Sequence, residues 1–386
     1  MNDNSFRSRL SNFDVSRRGV LAGAVGIAAA AALAACSPLD TSTPAAPAST
    51  AKTGKGGGIT KNPLAITMFC FLGGDLAVMG KEFGANYMER HPNISITYYE
   101  DSNLVGYGKM LAQRQSDPSK PLVNFGFFNT STTAQGVGDK MWNKLDYADM
   151  SNSKDIAESF TRADHHGIGI GSDQLGLVYN TDTYSKAPTQ WSDLWAKKNV
   201  GKLSFFGMPW YAIYQAALAN GGSLKNMDPG FKFWADNADL IRLIVTSNPQ
   251  YLNVLSDGTS PLTTYFAGTT QQWVTGGAPL KYAVPKDGAI PVPVLLQSVA
   301  GQGEDEQVVV QDMINEMISP KWSQRWAETA VQVPANTLTK TPAQFDGLAA
   351  FKASTIKNFQ KIDYDIVGKN TAAWTERWNS EVVSKI

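Results

Sequence analysis

Apolar positions crowd residues 64–71 (Leu-Ala-Ile-Thr-Met-Phe-Cys-Phe) and predict a strand. A glycine turn, Gly73-Gly74-Asp75, follows it. Residues 76–89 then predict a helix that sets Met79, Phe83 and Tyr87 on one face, and His91-Pro92-Asn93 ends it. Residues 94–99 read as a second strand, 104–115 as a helix after a polar loop, and 122–128 as a third strand. Strands alternating with helices predict a parallel sheet covered by helices, and ligands gather at the carboxyl ends of such strands. Those ends are residues 71–75, 101–103 and 129–133.

The second half repeats the alternation. Strands are predicted at 175–180, 201–206 and 281–285, the last leading into Lys286-Asp287-Gly288. Residues 188–195 start a helix with Thr189 or Ser192 as N-cap, and 211–219, 231–247, 304–318 and 322–329 are further helices. The pattern predicts an α/β fold of two units joined by two strands. The expected division is lobe 1 over 63–175, lobe 2 over 176–280, a return to lobe 1 over 281–325, and C-terminal helices over 326–386.

The pattern of residues 1–62 is different. Arg7, Arg9, Arg17 and Arg18 precede an uncharged run over 19–35 that is mostly Ala and Gly. A spanning helix needs about 20 clearly apolar residues, so this run reads as the core of an export signal. Ser16-Arg17-Arg18-Gly19-Val20-Leu21 resembles a twin-arginine (Tat) signal. Leu33-Ala34-Ala35-Cys36 resembles a bacterial lipobox, which implies a signal peptide over 1–35, lipid on the Cys36 thiol and a lipoprotein on the outer face of the cell membrane. Residues 36–62 are rich in Ser, Thr, Pro, Ala, Gly and Lys and read as a flexible linker, a tether of about 30 Å.

Charge and composition then exclude several classes. The 34 Lys+Arg balance 34 Asp+Glu, against the basic excess of a nucleic-acid binder. Two cysteines, Cys36 and Cys70, exclude a disulfide framework or a multi-cysteine metal site, and Cys70 reads as an inert core thiol. No His-Glu-x-x-His, Gly-x-Ser-x-Gly or complete Walker loop occurs. Residues 167–171 lack the third glycine of a dinucleotide fingerprint, Ser172 standing there, and read as a turn. His165-His166 reads as a surface turn. Tyr98 and Tyr99 point to opposite strand faces and make no paired ferric site. No catalytic residue, metal site or cofactor is assigned.

Several motifs together resemble a bacterial solute-binding protein of an ABC importer, with the type II periplasmic-binding-protein fold of the polyamine- and iron-binding branch. They are Gly176-Leu-Val-Tyr-Asn180-Thr181, Pro188-Thr-Gln-Trp-Ser-Asp-Leu-Trp195, Gly201-Lys202-Leu203, Val284-Pro-Lys-Asp-Gly288-Ala289, Ser319-Pro320-Lys321-Trp322 and Val333-Pro334-Ala335-Asn336. The resemblance implies two lobes of mostly parallel sheet joined by two hinge strands. It also implies hinge closure on a small solute, docking of a monomer to a membrane permease, and no covalent chemistry. An exported hydrolase or a surface adhesion protein are the readings from other classes.

Candidate ligand contacts are loop ends where aromatic and polar groups meet. They are Phe71, Gly74 and Asp75 after strand one, Ser102 and Asn103 after strand two, and Asn129, Thr130 and Ser131 after strand three. Trp210, Tyr211 and Tyr214 follow the 201–206 strand, and Asp257 and Tyr265 lie near later helices. Trp210 and Tyr214 suit core packing equally well, and Asp257 suits a turn before Gly258. Aromatic faces beside carboxylates favour a polyamine-like organic cation. Ile290-Pro-Val-Pro293 stands where polyamine binders of this kind carry a Trp and an Asp, so a sugar, phosphonate or iron chelate remains open.

Overall fold

Every parallel strand in a sheet needs a crossover to reach its neighbour, and here helices supply it twice over. The computed structural model describes residues 60–72 and 75–386. The signal expected over 1–35, Cys36 and the part of the expected 36–62 linker up to residue 59 lie outside the described residues, as do Gly73 and Gly74.

The first unit runs β1 (Leu64–Phe71), α1 (Val78–Arg90), β2 (Ile94–Asp101), α2 (Asn103–Ser116), β3 (Phe125–Asn129) and α3 (Thr130–Gly138). β1 pairs in parallel with both β2 and β3. Its alternate residues face two helix layers. Ile66, Met68 and Cys70 join a core with Phe83 and Tyr87, while Phe69 stacks on Phe128 at 4.9 Å on the other face.

The chain then enters β4 (Ile168–Asn180), a 13-residue strand buried throughout. The second unit follows as β5 (Leu203–Phe206), α4 (Trp210–Ala219), α5 (Asp228–Asp236), β6 (Ile241–Val245), α6 (Asn248–Ser256), β7 (Leu262–Phe266), α7 (Ala267–Thr275) and β8 (Leu280–Ala283). Here β5 is the parallel centre between β6 and β7. The chain returns through β9 (Ile290–Ser298), then α8 (Glu304–Met317), α9 (Pro320–Ala330), β10 (Val333–Pro334), α10 (Ala353–Lys357) and α11 (Tyr364–Glu381). The strand order is β2-β1-β3-β9-β4-β7-β5-β6, with β8 and β10 also pairing β4.

Two antiparallel strands carry the chain between lobes. β4 pairs with β9 from Ile168↔Leu296 to Leu175↔Ile290, and its far half pairs with β7 and β8. α11 also touches both lobes. Gly368 sits so close to α3 that a side chain there would meet Ala134 Cβ at 2.5 Å, while Trp378 packs against Phe205 and Trp234 of lobe 2.

The expected α/β architecture is present, and several local expectations are corrected. The return to lobe 1 occurs in β9, not at 281–285, where β8 stays paired to β4 inside lobe 2. Pro291 and Pro293 hid β9, since proline lacks the ladder donor; Val292 N–H instead donates to Ser172 Oγ at 3.1 Å. Residues 167–171 are not a turn beyond Gly167. Ile168–Gly171 belongs to β4, and Gly171 is small because a Cβ would meet Val333 O at 2.8 Å and the Trp326 indole. The helix expected over 231–247 ends at Asp236, and β6 follows, rich in branched side chains. Residues 188–195 form a short 3-10 turn at Trp191–Trp195 capped by Gln190 with Asp193, not by Thr189 or Ser192. The C-terminal stretch is part irregular, with β10 pairing into β4.

Candidate functional site

The carboxyl ends of β1, β2 and β3 in one lobe face those of β5, β6 and β7 in the other across a cleft of about 400 Å³. The floor is the hinge. Alternation sends Asp173, Val292 and Val294 into the cleft and turns Ser172, Pro291 and Pro293 toward a separate cavity behind it.

Lobe 1 contributes Phe71 at the end of β1 and the N-termini of two helices. Ser102 caps α2 by accepting from Val105 N–H, and Asn129 caps α3 by accepting from Thr132 N–H at 2.9 Å. Asn103 Oδ1 ties the two loops together, accepting from Thr132 Oγ1 at 2.6 Å and Asn129 N–H at 3.3 Å. Its Nδ2 is buried with no acceptor. Leu72, Leu104 and Val105 form an apolar rim, 61%, 63% and 49% exposed.

Lobe 2 contributes Phe206 at the end of β5 and Met208 just after it, Thr246 and Asn248 after β6, and Tyr265 and Phe266 at the end of β7. Tyr265 is held on three sides. Its ring stacks on Trp273 at 5.2 Å, stands edge-on to Tyr251 at 4.8 Å, and its hydroxyl donates to Asn248 Oδ1. Burial pushes its hydroxyl pKa well above the usual phenol range.

Asp173 is the charged side chain of this lining. Its Oδ1 accepts from Gln174 N–H at 2.7 Å and from Gly268 N–H at 3.1 Å, in the first turn of α7. Burial pushes its carboxyl up to about 7, against the pull of these N–H groups. Among the described residues no Lys, Arg or His lines the cleft.

The structure thus gathers Phe71, Ser102, Asn103, Asn129 and Tyr265 of the expected contacts. It places the others elsewhere. Trp210 is 3% exposed in the lobe 2 core, its ring 3.9 Å from that of Tyr211 and edge-on to Tyr364. Tyr211 is buried behind Phe266, and Tyr214 faces a separate surface groove with Trp195 and Leu218. Thr130 turns to the cavity behind the hinge, and the Ser131 carbonyl packs on Gly368 of α11. Asp257 is an exposed turn residue accepting from Thr259 N–H at 2.8 Å. Asp75 is exposed, outside the lining. Gly74 lies outside the described residues.

The sequence reading missed Asp173, Phe206, Phe266 and the hinge residues. The signal that could have found Asp173 was two period-two runs flanking it, Ile168 and Ile170 before it and Leu175, Leu177 and Tyr179 after it, which together extend the strand across it. Among the described residues no group of three or more His, Cys, Asp or Glu gathers to hold a metal ion.

Residues 126–369 match the sequence model of a family described as bacterial extracellular solute-binding protein, more than half of the chain. No curated protein sequence matches. Solved structures of similar fold include the spermidine/putrescine ABC transporter substrate-binding protein PotD from Streptococcus pneumoniae, 18% identical, TM-score 0.64, covering 82% of this chain and 99% of its own. The binding protein MotA from A. tumefaciens, in complex with glucopine, is 17% identical, TM-score 0.67, with coverage of 82% and 99%. The periplasmic binding protein AfuA from Actinobacillus pleuropneumoniae, with fructose-6-phosphate bound, is 15% identical, TM-score 0.66, with coverage of 84% and 99%.

Proposed function

The chain belongs to the bacterial extracellular solute-binding protein family, and from that premise we propose that it is the solute-binding subunit of an ABC importer. It captures a small organic cation between its lobes and delivers it to a membrane permease, without catalysing a reaction on it. The observation that carries this reading is the 400 Å³ cleft floored by β4 and β9, with strand ends of both lobes on its walls. A hinge of two strands lets the walls close on a ligand.

The chemistry of the lining supports a cation over an anion. Asp173 supplies a carboxylate once ionised, and among the described residues of the lining no cationic side chain answers a phosphate or phosphonate. The helix N-termini that edge the cleft have already engaged an N–H of their first turns, through Ser102, Asn129, Ser247 and Asp173. An organic cation is therefore favoured over sugars, oxyanions and iron chelates.

A thermal-shift screen of polyamines, monoamines, sugars, phosphonates and ferric chelates tests this. A ligand at a hundredfold excess over Kd adds about 2.7 kcal/mol of stability. Turnover of a hit would replace the reading with an enzyme, and binding only to a macromolecule would replace it with an adhesin.

Two further parts rest on sequence. Cys36, after Leu33-Ala34-Ala35, supports a lipid anchor on the outer face of the cell membrane. Cys36→Ala should move the protein from membranes to the soluble fraction; unchanged fractionation and acyl labelling would remove the anchor. A monomer is expected, and sedimentation of the lipid-free protein checks it.

A further inference from the structure

We propose that the solute is an organic monocation with an apolar body, its single ammonium group set against Asp173 and its body laid along the rings and the lobe 1 rim. This rests on the solute-binding reading and narrows it to a substrate class.

The charge inventory is the first argument. Among the described residues lining the cleft, Asp173 alone carries formal charge. A ligand with two or three ammonium groups would enclose at least one without a counter-charge, which is costly once water is expelled. A carboxylate or phosphate would meet the Asp173 charge with no cation to offset it.

The placement of Asp173 is the second. The residue is 8% exposed, and two N–H groups hold its Oδ1 in place. No side chain donates to either oxygen, so its negative charge has no built-in partner. It is fixed before the ligand arrives, and only backbone N–H groups face it until a cation does.

The apolar surface is the third. Leu72 and Leu104 are about three-fifths exposed at the mouth, opposite Phe206, Phe266 and Met208. A polyol would bury hydroxyls against this surface without partners, whereas an alkyl or aryl body fills it and gains from the area removed from water.

The same carboxylate makes binding pH-dependent. Tyr211 on α4, Tyr265 on β7 and Tyr282 on β8 are the titratable groups that face Asp173, and burial raises all three phenols. They stay neutral from pH 5 to 8, so Asp173 is the group that changes charge there. A cation binds its ionised form and is released as the carboxyl protonates.

Calorimetry on the purified protein at pH 8 tests the class, with hexylamine and phenethylamine as monoammonium probes. Their neutral alcohol analogues, hexanoate and spermidine are the comparisons. The monoamines should bind at least tenfold more tightly than any comparison compound, and lose several-fold in affinity between pH 8 and pH 5.5. Asp173→Asn should weaken the amines tenfold or more and leave the alcohols unchanged. The amine–alcohol difference on the unaltered protein decides the matter even if the variant fails to fold. Tighter binding of spermidine, hexanoate, a sugar or a phosphonate would overturn the monocation and leave the solute-binding reading standing. Failure of every small solute in the wider screen would overturn both.

Discussion

Lobe 1 meets the cleft with helix caps and an exposed apolar rim, whereas lobe 2 meets it with rings locked from behind. Ser102 and Asn129 cap the first turns of α2 and α3, Asn103 Oδ1 ties those turns together, and Leu72, Leu104 and Val105 stand largely in solvent beside them. Across the cleft, Tyr265 is fixed by Trp273, Tyr251 and Asn248, and Phe206 packs on both tyrosines. The difference separates two tasks. A stiff wall defines shape at no ordering cost on binding, and a loose rim gains most of its burial only when the lobes close. Substitutions behind the lobe 2 wall should therefore act on folding, and those on the lobe 1 rim on binding.

The largest effect is expected behind the lobe 2 wall. Trp234 is fully buried, donates its indole N–H to Ala212 O at 3.0 Å, and packs against Phe205 and Trp378. Trp234→Ala should cost about 3–5 kcal/mol in chemical denaturation. Trp210→Ala should cost about 3 kcal/mol with ligand affinity changed less than twofold. A stably folded Trp210→Ala protein that binds tenfold more weakly would bring that indole back into the site.

Those two tryptophans also mark what the sequence could convey. Alternating strands and helices placed the lobe 1 strand ends, and with them Phe71, Ser102, Asn103 and Asn129, because a parallel sheet sends all its carboxyl ends to one edge. Trp210 suited a ligand contact and core packing equally well. Its burial depends on partners far along the chain, including Tyr364 on α11, which no local pattern reports. Asp173 was hidden for another reason. It sits in a strand rich in glycine, where Gly169 and Gly171 make room for Phe160 and Trp326 and so mimic a turn. The hinge partner β9 was masked by two prolines that the ladder tolerates at Gln174 and Ser172.

Between the lobes, the hinge carboxylate should set a pH slope. Folding raises the Asp173 carboxyl from 3.8 to about 7. The folded chain therefore holds this proton more tightly, and stability present below pH 4 is lost as pH rises through 7. The shift corresponds to about 4 kcal/mol across that window. Asp173→Asn should flatten this part of the stability profile measured by urea titration from pH 4 to 8. A variant profile parallel to the wild type would show that Asp173 does not titrate there.

Behind the hinge, α11 packs on α3 of lobe 1 and on the lobe 2 core, and it approaches α3 closely at Gly368. A Cβ at Gly368 would lie 2.5 Å from Ala134 Cβ and 3.0 Å from Ser131 O. Gly368→Val should force α11 off α3 and cost about 1–3 kcal/mol. Because α11 also anchors in lobe 2 through Trp378, small-angle scattering should show an altered lobe separation in the ligand-free protein. Unchanged scattering with lowered stability would confine α11 to a packing role.

The smallest effect on folding, and the one that most sharply tests the rim against the wall, is at Leu104. Its side chain is 63% exposed, so replacing it with serine removes little buried area from the free protein. Stability should stay within about 0.5 kcal/mol of wild type, as for ordinary surface changes. In the closed, loaded form the same side chain is expected to lie against ligand and Phe266. Losing that burial is worth about 1–2 kcal/mol at the usual area coefficient, or five- to thirtyfold in affinity. Leu104→Ser should thus bind more weakly, with the same melting temperature when free and a smaller ligand-induced shift. Equal affinity would mean that lobe 1 touches the solute through its caps alone and that the rim serves another surface. A fall in free-state stability instead would place Leu104 with the packed wall.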